Sequence, residues 1–158
     1  MKKYQMELKW AIIFMLSTLL WVAFEKSMGW NDLQIDKHQT YTNFFSIIAI
    51  AVYGFALVDK RKNFYEGKIT WKQGFMSGVI ITLLIIPLNI LAQYISFTYI
   101  TPDFFANMIN YNVSIEKMTL SEAENYFSLQ NYRIQALTFG TLIGFATSAI
   151  VALFVKNK

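Results

Sequence analysis

The chain has 158 residues, no cysteine and a formal net charge of +4, and 55% of its residues are hydrophobic against 15% charged. The absence of cysteine excludes disulfides, zinc–thiolate sites and thiol nucleophiles. The length predicts a single domain. The composition is more hydrophobic than that of a typical soluble domain, which indicates a membrane protein.

Four apolar runs predict membrane-spanning helices, at about residues 8–28, 42–58, 73–101 and 133–155. At about 1.5 Å rise per residue, each run can cross most or all of a hydrocarbon core of about 30 Å. A soluble bundle would need a polar stripe on every helix, but the run 74–100 carries no charged residue. We therefore expect an all-α fold, an integral membrane four-helix bundle.

The loop charges predict that both termini are cytoplasmic, because Lys and Arg favour that side of a membrane. With the termini inside, ten of the 14 basic residues lie in inner segments and four in outer loops. The outer four are Lys26, Lys37, Lys117 and Arg133. The positive charge is thus a topology signal, and no nucleic-acid partner is expected. Lys60, Arg61 and Lys62 are expected to meet anionic lipid headgroups at the cytoplasmic face, with a specific lipid or partner site as the alternative.

The sequence contains no catalytic motif, so no enzyme activity, cofactor or metal site is expected. Catalysis would have to depend on Glu25, Asp32, Asp36 and His38, and nothing in their spacing requires it. Glu25 is expected to reach outward or to pair with Lys26 or another span, with a proton-carrying role as the alternative. No ionisable residue lies well inside an apolar run, which argues against a pump.

The third span carries a polar stripe. At 100° per residue, Gly78, Thr82, Asn89, Gln93 and Ser96 fall on one face. These side chains form interhelical hydrogen bonds or, alternatively, line a small site or a narrow pore. Pro87 is expected to kink the helix near mid-depth.

The second outer loop, about 102–132, predicts two short amphipathic helices. Thr101 is the expected N-cap of the first helix, ahead of Pro102. The apolar residues of that helix are expected to lie on the outer membrane surface; they are Phe104, Phe105, Met108 and Ile109. Thr119 and Glu122 fit a capping box, and the second helix is expected to continue into the fourth span.

The fourth span contains Gly140 and Gly144 in a G-x-x-x-G pattern, followed by Ser148. Small residues four apart allow close helix packing. The expected partner is the Gly74/Gly78 face of the third span, or the same helix of another protomer.

Several stretches of the chain carry a family resemblance. They are Met1–Gln5, Asp36–His38 with Tyr41–Asn43, Asp59–Tyr65, Thr70–Phe75, Met118–Thr119 with Glu122–Glu124, and Thr147–Val151. With them, the whole chain resembles the bacterial four-span membrane family catalogued as domain of unknown function 4199. The resemblance implies four helices in a bacterial inner (cytoplasmic) membrane, and it implies no active residue.

The pattern favours a small integral membrane protein that acts as a scaffold or accessory subunit through protein or lipid interactions. Its expected partners are the lipid bilayer and either a second copy of the chain or another membrane protein. The alternative is an oligomeric small-solute transporter or channel lined by the polar stripe. A third reading is a membrane enzyme or lipid-handling protein that uses the outer loop.

Overall fold

The computed structural model describes residues 4–158, and this part of the chain is all-helical. The helices in chain order are α1 (Gln5–Ser27), α2 (Ile35–Tyr41), α3 (Phe45–Asn63), α4 (Trp71–Ile95), α5 (Phe104–Ser114), α6 (Leu120–Tyr126) and α7 (Leu129–Val155). Four helical segments are long and apolar enough to cross a membrane: α1, α2–α3 together, α4 with its π-helical extension Ser96–Ile100, and α7. The expected all-α fold with four such helices is confirmed.

The bundle has two distinct ends. The start of α1, the end of α7 and the α3–α4 connection lie together, where the Asn157 side chain hydrogen-bonds Gly67 and Ile69; we call this the terminal end. The opposite end carries α2, α5 and α6, and we call it the cap end. α3 and α4 each pack against the three other spanning helices, and the most extensive contacts are those of α4 with α7 and α1.

The second spanning helix is longer than the apolar run that predicts it. A 3-10 turn, Thr42–Phe44, joins α2 to α3, so the helical stretch extends from Ile35 to Asn63. Lys60, Arg61 and Lys62 form its last turn. Basic side chains at a helix C-terminus interact favourably with the helix dipole, so this turn stays helical although it is polar.

α4 and α7 pack through a ladder of small residues. A Cβ built on Gly74 would lie 3.2 Å from the Cβ of Ala152, and one on Gly78 would lie 2.6 Å from the Cβ of Ser148. One on Gly144 would lie 2.5 Å from Cγ2 of Thr82. The expected pairing of the fourth span with the Gly74/Gly78 face of the third span is therefore present within one chain.

The cap end has its own hydrophobic core, and the expectation that the apolar residues of α5 face the membrane is wrong. Phe104 and Met108 of α5 are buried against Ala123 and Phe127. An amphipathic pattern requires an apolar partner for one face, and here that partner is protein rather than lipid.

Two helix boundaries at the cap end also differ from expectation. Thr101 does not cap α5; its hydroxyl donates to the Ser96 carbonyl, and α5 begins at Phe104. The Thr119/Glu122 capping box of α6 is present. However, α6 ends at Tyr126, and the Ser128 side chain caps a new helix, so α6 does not continue into α7.

Candidate functional site

A buried ion pair joins three helices at the terminal end. Glu7 and Lys60 are 2% and 4% exposed, and Lys60 Nζ lies 2.8 Å from Glu7 Oε1. Ser77 of α4 donates to the same oxygen at 2.8 Å. Lys60 Nζ also lies 3.8 Å from the centre of the Phe64 ring. Glu7 and Lys60 both lie outside the apolar runs in sequence, but their side chains face the bundle interior.

The basic cluster 60–62 does not act as one headgroup-facing patch. Lys60 is buried with Glu7, and Arg61 Nη1 donates to the Val155 carbonyl at 2.9 Å, closing the end of α7. Lys62 is exposed. Two of the three cations are thus used within the fold, because the last turn of α3 faces α1 and α7.

The loop residues considered for catalysis do not form one group at the cap end. Glu25 is buried, accepts a hydrogen bond from Trp21 Nε1 at 2.7 Å, and lies 3.9 Å from His38 Nδ1. Asp32 instead pairs with Lys26 at 2.7 Å, and this hydrogen bond lowers the pKa of the Asp32 carboxyl. Asp36 is exposed. Within residues 4–158, no three His, Cys, Asp or Glu side chains are grouped closely enough to hold a metal ion.

The polar stripe of α4 divides into two parts. Thr82 is buried, donates to the Gly78 carbonyl and hydrogen-bonds the Tyr53 hydroxyl at 2.7 Å. Ser96 is buried, and its carbonyl accepts from Thr101. Ser96 serves helix packing, Thr82 both packs against α3 and borders the main cavity, and Asn89 and Gln93 line cavities.

The main cavity lies between α3 and α7, in the half of the bundle nearer the cap end. It has a volume of about 350 Å³ and is not fully enclosed by protein. Its walls are mostly apolar, with hydroxyl and amide groups among them. They are formed by Phe14 and Thr18 of α1, Phe45, Ser46, Ala49 and Tyr53 of α3, Thr82, Ile85, Ile86 and Asn89 of α4, and Ala136, Gly140, Thr141, Ile143, Gly144 and Thr147 of α7, with Thr42 and Asn43 before α3.

The cavity exists because α3 and α7 diverge. Nearer the terminal end, Leu57 of α3 and Val151 of α7 belong to one buried cluster. Nearer the cap end, a Cβ on Gly140 would meet nothing within 4 Å. The rim residue Ile143 is 65% exposed, so the cavity opens sideways, toward the surface that a membrane helix presents to lipid.

A smaller cavity of about 70 Å³ adjoins the first and shares Ile86, Asn89 and Ala136 with it. Gln93 of α4 and Arg133 of α7 complete the polar part of its wall. Gln93 Oε1 and Arg133 Nε are both buried without a hydrogen-bond partner. In the sequence, Arg133 is recognisable only as one of the four basic residues of the outer loops.

Asn89 links the two cavities and is itself unpaired. Its side chain makes no hydrogen bond to another residue of the described chain. An amide in an apolar setting without a partner costs free energy, so these walls favour an occupant that is apolar along most of its length and polar at one end.

The comparisons with known proteins identify a family and nothing closer. No curated protein and no solved structure matches the chain. A family model described as Protein of unknown function (DUF4199) matches residues 9–157. Because that match covers nearly the whole chain, the protein belongs to this family.

Proposed function

We propose that the protein is a non-enzymatic accessory protein of the bacterial inner membrane that binds a lipid acyl chain in the cavity between α3 and α7. The observation that carries the proposal is the cavity itself, which is about 350 Å³ in volume and opens sideways beside the exposed Ile143. Ligand pockets begin at about 300 Å³. An acyl chain can enter from the bilayer through the gap between the two helices without crossing a polar surface.

An acyl chain fits the cavity better than a partner helix does. A partner helix that crosses the membrane is about 10–12 Å across with its side chains and would run along most of the length of α3 and α7. The cavity does not extend that far, because Leu57 of α3 and Val151 of α7 belong to one buried cluster nearer the terminal end. A partner helix would therefore have to separate α3 from α7 further.

A passage for solutes through the bundle has less support than a lateral site. Thr82, from the predicted polar lining, is committed to Tyr53 and Gly78. The ladder of small residues at Gly78, Ser148 and Gly144 closes the α4–α7 interface on the side of the cavity nearer the terminal end. We therefore assign Asn89 and Gln93 to a lateral binding site rather than to a pore.

The proposed orientation follows from the loop charges, which favour a cytoplasmic terminal end. We expect a reporter that is active only in the cytoplasm to be active when fused after Lys158. The same reporter inserted in the segment 115–118, between α5 and α6, should be inactive. Activity of the second fusion together with silence of the first would reverse the proposed orientation.

Photolabelling tests the lipid site directly. The protein is reconstituted in vesicles that contain a phospholipid with a diazirine in one acyl chain, irradiated, and its labelled peptides are mapped by mass spectrometry. We expect label on the parts of α3 and α7 that line the cavity. The variant Gly140→Phe should lose most of that label, because its ring would fill open space.

Gly54→Phe is the matched control. Gly54 lies on α3, has nothing within 4 Å of a built Cβ, and is not part of the cavity wall. It introduces the same ring at an equally open glycine, so it should leave the cavity label unchanged. Equal labelling of the cavity peptides in the wild type and in Gly140→Phe would refute the proposed function.

A further inference from the structure

Arg133 carries a charge for which the fold provides no counterion. It is the fifth residue of α7, about 6 Å along the helix from its start at the cap end. In the part of the chain that is described, none of the ion pairs involves Arg133. Its Nε is buried and unbonded. Charged side chains within spanning helices are costly and normally face a partner or a cavity.

Gln93 stands opposite Arg133 across the α4–α7 interface. In the ladder, Gly78 lies against Ser148 and Thr82 lies against Gly144, so α4 and α7 run in opposite directions. Gln93 is eleven residues after Thr82, and Arg133 is eleven residues before Gly144. The same register therefore places Gln93 opposite Arg133. Both line the small cavity, and Gln93 Oε1 is also without a partner. A 180° rotation of the amide would present its NH₂ group instead, so Gln93 can donate to or accept from a bound group.

The guanidinium group selects for anionic oxygen. Its N–H donors form short, charge-assisted and often bidentate hydrogen bonds with phosphate and carboxylate groups. Arg133 precedes Gly140 by seven residues, about 10 Å along α7. A head bound at Arg133 would therefore direct its chain toward the larger cavity.

We propose that Arg133 and Gln93 bind the anionic head of the lipid whose acyl chain occupies the α3–α7 cavity. The ligand is then an anionic amphiphile with a phosphate or carboxylate head. This inference rests on the proposed function, and it adds the head class and the residues that select it.

Native mass spectrometry tests the head class, because the mass of a retained lipid identifies its head. The intact protein is equilibrated in detergent with equimolar phosphatidylglycerol, free fatty acid and diacylglycerol of matched chain length, the last having no anionic head group. A charge-assisted hydrogen bond should favour the anionic lipids by about ten-fold. Retention of phosphatidylglycerol would identify a phosphate head, and retention of the fatty acid a carboxylate.

Variants of Arg133 test whether this residue causes the preference for an anionic head. Arg133→Gln should bring the anionic lipids and the uncharged diacylglycerol to near parity, whereas Arg133→Lys, which keeps a positive charge, should retain part of the preference. Lys117→Gln is the control, because Lys117 is an exposed cation between α5 and α6 at the same end; it should leave the preference unchanged.

The outcomes separate the two proposals. Equal retention of all three lipids by the wild-type protein would overturn the anionic-head inference and leave the acyl-chain site intact. Retention of no lipid, together with no cavity photolabel, would overturn both. The head preference of the wild type is decisive even if Arg133→Gln does not fold. An unchanged preference in a folded Arg133→Gln would show that another group selects the head.

Discussion

Alanine at Gly78 or Gly144 is expected to destabilise the bundle by about 1–3 kcal/mol, the usual cost of overpacking a close interface. A Cβ on Gly78 would lie 2.5 Å from Ser148 Oγ, and one on Gly144 would lie 2.8 Å from Thr82 Oγ1. Ser148 and Thr82 are buried and have short side chains, so the steric clash can be relieved only if α4 and α7 move apart. Unfolding in micelles by titration with a denaturing detergent measures the change.

Gly140→Ala is the matched control, since Gly140 belongs to the same G-x-x-x-G pattern. Its Cβ would enter open space, and alanine has the higher helix propensity by about 1 kcal/mol. Its stability should equal or slightly exceed that of the wild type. Equal losses in Gly140→Ala and Gly144→Ala would contradict the packing register described for α4 and α7.

Removal of one partner from the buried ion pair is expected to cost about 3–5 kcal/mol, because a buried charge loses the opposite charge beside it. Glu7→Gln leaves the Lys60 ammonium beside a neutral amide, and Lys60→Met leaves the Glu7 carboxylate with only Ser77. The same detergent titration, or a thermal aggregation assay, measures the loss. Lys62→Met, on the exposed side of the same turn, should change the stability by less than about 0.5 kcal/mol.

The double variant Glu7→Leu with Lys60→Met completes the test. Replacing both charges by apolar side chains is often neutral or stabilising, so it should recover most of the loss. A double variant that loses the sum of the two single losses would show that Glu7 and Lys60 do not act as a pair.

The number and type of the spanning helices could be predicted from the sequence, because length and hydropathy determine whether a helix can cross a membrane. The capping box of Thr119 and Glu122 could also be predicted, since it depends on residues three apart. The partner of α5 could not be. The pattern of Phe104 and Met108 requires an apolar partner, and it fits α6 and a lipid surface equally well.

The candidate site was only partly accessible to the same reasoning. Asn89 and Gln93 were recognisable as polar residues in an apolar run, but Thr82 on the same face packs rather than lines a pore. Gly140 and Gly144 have identical local patterns, and spacing along one helix does not show where α3 diverges from α7. The Glu7–Lys60 pair joins residues far apart in sequence, and neither lies within an apolar run.

An experimental structure of the protein in lipid nanodiscs would show whether a lipid chain occupies the space between α3 and α7. We expect elongated density between these helices that passes Gly140 and approaches Arg133, with α4–α7 contact maintained at Gly78 and Gly144. If α3 instead closes onto Gly140 and leaves no space between the helices, the lipid site does not exist and the proposed function is wrong.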